Sequence, residues 1–524
     1  MPTPQRPATM HTSSKRAAAL LLAGALSGLA ACRDVLDVTP QTFYGTTNFY
    51  QTPAQIDQAV LAVYSRLQTV YGSGGGSPIA GNGALWALTE MRSDNTTYQF
   101  NPADRSNLPT ENLDEFLVTP DNGPVNGAWA SAYTPINEAN TILDRVDAVA
   151  YTDPAAKDRV VGEAKFNRAL HYFNLVRLFG DVPLLLAPVS TYANAFTGQR
   201  ASADSVYRQI IADAQDAAAK LPARSALPAA QAGRATKGAA TMLLADVYMT
   251  RRDYQAAATA LQSVLAMGYA LVTPYDRNFD PAFKNGAESI FEVQFTDAVV
   301  GQGSSYIYRF APFNSGATFT SGATDAVTLN QAGWNVPTRD MIAAYEPNDR
   351  RRDASIGWYV RSGNAQYTDV ALNDSLPYIR KYAQPFTQAG RQSNDFPVYR
   401  YAEALLLYAE ALNELGRTSD AYAYVNQVRA RAGLAPLATG LDQAAFRAAV
   451  AREERVELAF EDKRWFQLLR LGTAVPVLNA HGAALKAATS RRSSVSYTVQ
   501  PYMLLYPIPL REINLNGFAQ NPGY

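Results

Sequence analysis

Two stretches of this chain, 236–268 and 401–433, carry apolar and small residues at the same offsets. The first places Leu244, Ala245, Tyr248, Tyr254, Ala257, Leu261 and Val264 there, and the second Tyr408, Ala409, Leu412, Ala421, Val425 and Val428. Each breaks once, at Arg252-Asp253 and at Leu415-Gly416-Arg417, so each spells two helices joined by a short turn. Small residues let paired helices approach closely, and every such pair needs a neighbour to bury its other face. Scattered pairs in one chain therefore predict one stacked helical scaffold rather than separate units.

The offsets are those a tetratricopeptide unit uses. Apolar periodicity predicts further helices over 54–71, 128–149, 154–180 and 203–221. Two regions interrupt the pattern. The first opens on Gly72-Ser73-Gly74-Gly75-Gly76-Ser77-Pro78 and reads as loop to about Pro124, a length that is more often functional than idle. The second, 270–398, is rich in tyrosine, asparagine, glycine and proline, with brief strand-like runs such as Ser289 to Phe295. The expected fold class is mainly α: a tetratricopeptide-like helical scaffold with a large irregular insertion containing short strands.

The front of the chain is a different kind of segment. Lys15-Arg16 precede an apolar run, 17–31, too short to span a bilayer and laid out like a secretory signal. It ends in Leu29-Ala30-Ala31-Cys32, and Cys32 is the one cysteine of the 524 residues. Small residues before a lone cysteine resemble a bacterial lipobox, which implies that Cys32 is lipidated and becomes the mature N-terminus. The expected organisation is a signal peptide over 1–31, a lipidated tether over 32–53, and a single body over 54–524. Within the body, 54–269 holds the first helices and the 72–124 loop, 270–398 the ligand-facing insertion, and 399–524 the C-terminal helices.

The stretch 442–472 begins on a good N-cap, Asp442, ends on Gly472, contains no proline, and predicts one long amphipathic helix. Glu453, Glu457 and Glu461 form a carboxylate column along it. Like charges at that spacing repel, so Arg455, Arg464 and Arg470, or basic groups from a facing element, are expected to neutralise them. A glycosidase carboxylate pair or a metal site is the sharper alternative. Glu454-Arg455, Glu457-Leu458-Ala459-Phe460-Glu461, Arg464-Trp465-Phe466 and Arg470-Leu471-Gly472 resemble the C-terminal signature of the SusD/RagB family of outer-membrane nutrient-binding lipoproteins. Tyr506-Pro507-Ile508-Pro509 and Gln520-Asn521-Pro522-Gly523-Tyr524 resemble its closing motif. Asp462 and Gln467 stand where that family more often has glycine and aspartate.

Composition narrows the function. Lysine plus arginine equal aspartate plus glutamate at 46 each, which leaves no field to attract nucleic acid or an anionic membrane surface. Of the three histidines, His171 sits in an apolar helical context, and no metal-binding or phosphate-binding motif occurs, so no cofactor, metal or catalytic residue is expected. Thirty tyrosines beside 18% charged residues suit neutral, hydroxyl-rich ligands, whose C–H faces stack on rings while amides and arginines bond their hydroxyls. Two loop regions supply that mixture: Trp86, Asn95 and Tyr98, beside Arg92 and Asp94; and Tyr306, Tyr308, Phe310, Asn314, Trp334, Asn335 and Arg339. For any one of these rings ordinary packing is the competing role. The resemblance implies a surface-exposed, lipid-anchored protein that captures an oligosaccharide, or a peptide or other nutrient, and acts as lid for a TonB-dependent SusC-like transporter, without catalysis. A secreted glycan-processing enzyme and a purely structural repeat protein are the competing classes.

Overall fold

The structure is a computed structural model and describes residues 49–72, 84–100, 105, 107–189, 199–312, 315, 333–360, 375–384, 392–488 and 494–524. Cys32, the signal-like segment, most of the tether and Asn314 lie outside these residues. In chain order the helices are α1 (Pro53–Tyr71), α2 (Leu85–Leu88), α3 (Leu108–Asp114), α4 (Gly123–Arg145), α5 (Pro154–Phe179), α6 (Ala203–Lys220), α7 (Lys237–Thr250), α8 (Tyr254–Leu265) and α9 (Tyr306–Phe310). They continue with α10 (Arg339–Ala344), α11 (Arg350–Ser355), α12 (Tyr401–Glu414), α13 (Thr418–Ala432), α14 (Gln443–Glu457), α15 (Arg464–Leu471), α16 (Ala474–Ala488) and α17 (Leu510–Asn516). Short strands β1 (Thr96–Thr97), β2 (Ser289–Val293), β3 (Val336–Pro337), β4 (Ile356–Val360), β5 (Ser375–Ile379) and β6 (Phe396–Arg400) pair antiparallel as β1 with β3, β2 with β6, and β4 with β5.

The helices start where side chains satisfy their first amides. Thr52 and Gln55 form a reciprocal cap on α1, and Asp153, Ser202, Thr236, Asp253 and Asp442 each accept from an amide of the first turn of their helices. Packing then runs as one continuous stack: α1 on α4, α4 on α5, α5 on α6, α6 on α7, α7 on α8, α8 on α12, and α12 on α13 and α14. The two repeats appear as α7–α8 and α12–α13, within three residues of the expected limits. The 72–124 region, expected as loop, contains α2 and α3. One large apolar core joins α1 to the C-terminal residues, with a smaller one where α1, α4 and the start of α5 meet.

The expected single helix over 442–472 is two. Residues 458–463 break it, with Phe460 and Asp462 at φ +67° and +62°. The carbonyls that would continue the helix are taken by side chains from elsewhere. Arg400 Nη2 donates to Glu457 O at 2.6 Å, Lys381 Nζ to Ala459 O at 2.6 Å and Tyr382 OH to Phe460 O at 3.0 Å.

The carboxylate column is neutralised by facing elements. Arg351 reaches Glu453 at 2.6 Å and Glu457 at 3.0 Å, and Arg400 reaches Glu461 at 2.7 Å and Glu288 at 2.8 Å. Arg400 and Arg431 both bond Glu457, Arg429 holds Glu453 at 2.9 Å, and Lys381 holds Glu461 at 2.6 Å. Burial alone would raise the Glu457 pKa; Arg431, Arg400 and Arg351 hold it well below the usual carboxylate range. This network pins the insertion to the scaffold, because Arg351, Lys381 and Glu288 of the insertion meet Glu453, Glu457 and Glu461 on and beyond α14 and Arg400 and Arg431 on β6 and α13. Arg455 and Arg464 turn instead to Asp94, and Arg470 to Glu410 and Glu454.

Candidate functional site

The two loop regions singled out by composition meet. β1 pairs with β3, with Thr96 opposite Pro337 and Thr97 opposite Val336. The junction is extended by Gln99 N to Gly333 O at 2.8 Å, Thr338 N to Asn95 O at 2.9 Å and Thr96 Oγ1 to Asn335 Oδ1 at 2.5 Å. Behind it, Gly333 N donates to Ala311 O at 2.6 Å and Trp334 N to Arg309 O at 3.1 Å, which draws α9 in. The β4–β5 hairpin packs beside β3 and α9.

The aromatic residues of this region are gathered, and they are buried. Trp86 meets Phe310 edge to face at 5.3 Å, Tyr98 lies 5.7 Å from Trp334, and Tyr306 packs on Phe310 at 5.9 Å and on Tyr382 at 4.7 Å. Trp334 and Tyr308, at 7% and 8% exposure, come nearest to solvent. Their polar atoms are mostly committed within the protein: Tyr98 OH donates to Glu115 at 2.6 Å and Tyr306 OH to Tyr71 O at 2.6 Å. Asn95 donates to Glu90 at 2.9 Å and accepts from Arg455 at 2.8 Å. The indole N–H groups of Trp86 and Trp334 are buried with no hydrogen-bond partner among the described residues. Arg339 is exposed, at the first position of α10 after its Thr338 cap.

Arg464 grips Asp94 with two bonds, 2.8 and 2.9 Å, and Arg455 adds a third contact at 3.0 Å. Against the upward push of burial, Arg464 and Arg455 bring the Asp94 carboxyl down to about 2. The loop cluster is thereby tied to α14 and α15.

Sequence reasoning missed Trp358. It lies on β4 opposite Pro377 and is 43% exposed, while Trp86, Trp129, Trp334 and Trp465 are all buried. The short aromatic run Gly357-Trp358-Tyr359 was the available signal, although it marks a strand as readily as a site. Phe100, half-buried at the end of the first loop, carries the Arg105 guanidinium 4.4 Å above its ring.

Among the described residues no group of three His, Cys, Asp or Glu is placed to hold a metal ion. Burial takes the His171 pKa down to about 3, so it is a neutral packing residue inside α5. No described helix is long and apolar enough to cross a membrane.

Comparison with known proteins agrees over nearly the whole body. The profile of the SusD family matches residues 287–524, and one described as "Starch-binding associating with outer membrane" matches 54–249. A SusD-like protein of Formosa agariphila is 29% identical over 95% of this chain and 97% of its own. The starch-binding protein SusD of Bacteroides thetaiotaomicron is 24% identical over 97% of this chain and 98% of its own. Among solved structures, a laminarin-binding SusD-like protein superposes with a TM-score of 0.74 at 26% identity, covering 91% of this chain and 100% of its own. With the helical stack, the split signature helix and the closing motif all in place, the chain belongs to the SusD/RagB family.

Proposed function

We propose that this protein is a lipid-anchored, surface-exposed oligosaccharide-binding protein, and that its glycan-facing surface is the one built by the β1–β3 junction and the β4–β5 hairpin. The observation that carries the reading is the convergence of two distant loop regions into one junction over a buried ring-rich layer, on a scaffold like that of a laminarin-binding relative. Trp358 and Arg339 are the outward contacts: an indole to stack on a sugar face, and a guanidinium to bond hydroxyls. Trp86, Asn95, Tyr98, Tyr306, Tyr308, Phe310 and Trp334 form the layer beneath, and opening of that layer would release two indole donors toward ligand. Cys32 supplies the lipid anchor, and a TonB-dependent SusC-like barrel is the partner that receives the captured glycan. No catalysis is assigned, in keeping with relatives described as binding proteins.

Calorimetry with a panel of neutral oligosaccharides, laminarihexaose first, tests this reading. Trp358→Ala is expected to weaken binding at least about tenfold, the loss of one stacked ring. Unchanged affinity in both Trp358→Ala and Arg339→Ala would refute this surface, and glycan turnover by the purified chain would overturn the assignment as a binding protein.

A further inference from the structure

A separate hollow of about 450 Å³ shares no lining residue with the loop cluster. Its walls are α4, the segment 183–189 and the C-terminal helix α17, and its size lies within the roughly 300–1,000 Å³ typical of small-ligand sites. One wall is aromatic: Trp129 and Tyr133 sit 5.3 Å apart, with Phe518 completing it. Of these rings Tyr133 is the half-buried one, its hydroxyl donating to Pro183 O at 2.9 Å.

The polar part of the lining, set among Ala130, Pro183, Leu185 and Val189, is only partly committed. Asn137 uses its carbonyl to accept from Val189 N at 2.7 Å, which leaves both of its amide N–H groups for a ligand. Asn516 donates to Glu512 Oε2 at 3.1 Å, which leaves its own carbonyl and Glu512 Oε1 as acceptors. Glu512 is half-buried and forms no ion pair among the described residues, and burial raises its pKa with Arg511 opposing. Glu138 on the rim is already neutralised by Arg66 at 2.7 Å.

Each feature excludes a class of occupant. The lining holds two carboxylates, Glu138 and Glu512, and no cation, which disfavours an anion. An apolar ligand would strand Glu512 and the asparagine amides without partners. A ligand carrying several hydroxyls satisfies both, donating to Glu512 and Asn516, accepting from Asn137, and laying its C–H face on Tyr133. The geometry points to a second carbohydrate site, taking one or two pyranose rings of a neutral oligosaccharide between α4 and α17. This inference rests on the proposed glycan-binding function and adds a place where the same glycan is held, away from the loop face.

The test counts sites by calorimetry with laminarihexaose on the full chain. Two sites are expected in the wild type. Asn516→Trp, which fills the hollow, should remove one of them, and Glu512→Gln should weaken that same site at least tenfold. Trp358→Ala should weaken only the other. Near-UV circular dichroism and an unchanged loop-face affinity show that each groove variant is folded. One site, unaffected by either groove variant, overturns this inference and leaves the functional reading standing. No binding by the folded wild type counts against both, and binding of one site lost only in Asn516→Trp would move the glycan site from the loops to the groove.

Discussion

Replacing Asp462 with glycine should stabilise the protein. Asp462 sits in the turn between α14 and α15 at φ +62°, it is 3% exposed, and neither carboxylate oxygen has a hydrogen-bond partner among the described residues. Burial, and then the nearby Glu90 charge, push its pKa well above the ordinary value, with Lys463 the main opposing influence. Leaving a buried polar group unpaired costs about 1–3 kcal/mol, and a left-handed conformation in a residue with a Cβ costs about 1 kcal/mol more. Glycine removes both, returning about 0.5–1 kcal/mol through its looser unfolded chain and a similar amount in lost packing. The net gain is about 1–2 kcal/mol near pH 7.5. With an unfolding entropy of roughly 2 cal/mol/K per residue, a body of this size gains about 1 °C in Tm per kcal/mol, a shift that differential scanning calorimetry resolves. The sign of the pH dependence is fixed as well. A raised carboxyl pKa in the fold favours folding below the unfolded value near 4, and that contribution is lost as pH rises through the folded value. The advantage of Asp462→Gly should therefore be smallest near pH 4 and grow toward pH 8. Asp462→Asn, which tolerates the same φ and carries no charge, should show the pH-independent part alone. A glycine variant that melts lower at pH 7.5, or whose gain does not vary with pH, would refute the reasoning.

Arg400→Met should destabilise the protein by about 3–5 kcal/mol in urea titrations, because Glu288, Glu457 and Glu461 would each lose a buried partner; a change under about 1 kcal/mol would show that the network is not structural. Stability should peak in mildly acidic solution. Burial raises Glu163, Glu292 and Glu403 to about 7 and Asp395 to about 6, so their contribution is lost as pH climbs through that range, whereas Asp94, Glu457 and Glu461, held low by arginines, lose theirs as pH falls below about 4. A Tm that rises steadily from pH 5.5 to 8 would contradict this.

The helices of the stack were legible because each keeps an apolar stripe at helical spacing and most, though not α12 and α13, have a capping side chain at their start, both properties of neighbouring residues. Residues 458–463 were not, because what breaks the helix is the demand of Arg400, Lys381 and Tyr382 for three carbonyls, and those side chains lie some sixty to eighty positions away in the chain. The same limit explains the loops. Trp86, Tyr98 and Trp334 mark a ring-rich region by composition alone, yet a tyrosine that bonds Glu115 and an indole packed on a phenylalanine leave the same letters in the sequence as rings facing solvent. Trp358 differs from them only in lying on a hairpin strand whose outer face nothing in the described residues covers fully.

The family signature takes on a physical meaning from where its charges go. Glu453, Glu457 and Glu461 hold the insertion through Arg351, Arg400 and Lys381, while Arg455 and Arg464 reach the other way to Asp94 and Asn95 at the β1–β3 junction. One helix–turn–helix thus holds the insertion with its acids and the first loop with its bases. The two loop regions that form the proposed glycan face are therefore fixed to each other twice, by the strand pair directly and through α14 and α15 behind it. A face built this way loses little conformational freedom when it binds, so more of each ring's stacking energy is left to appear as affinity.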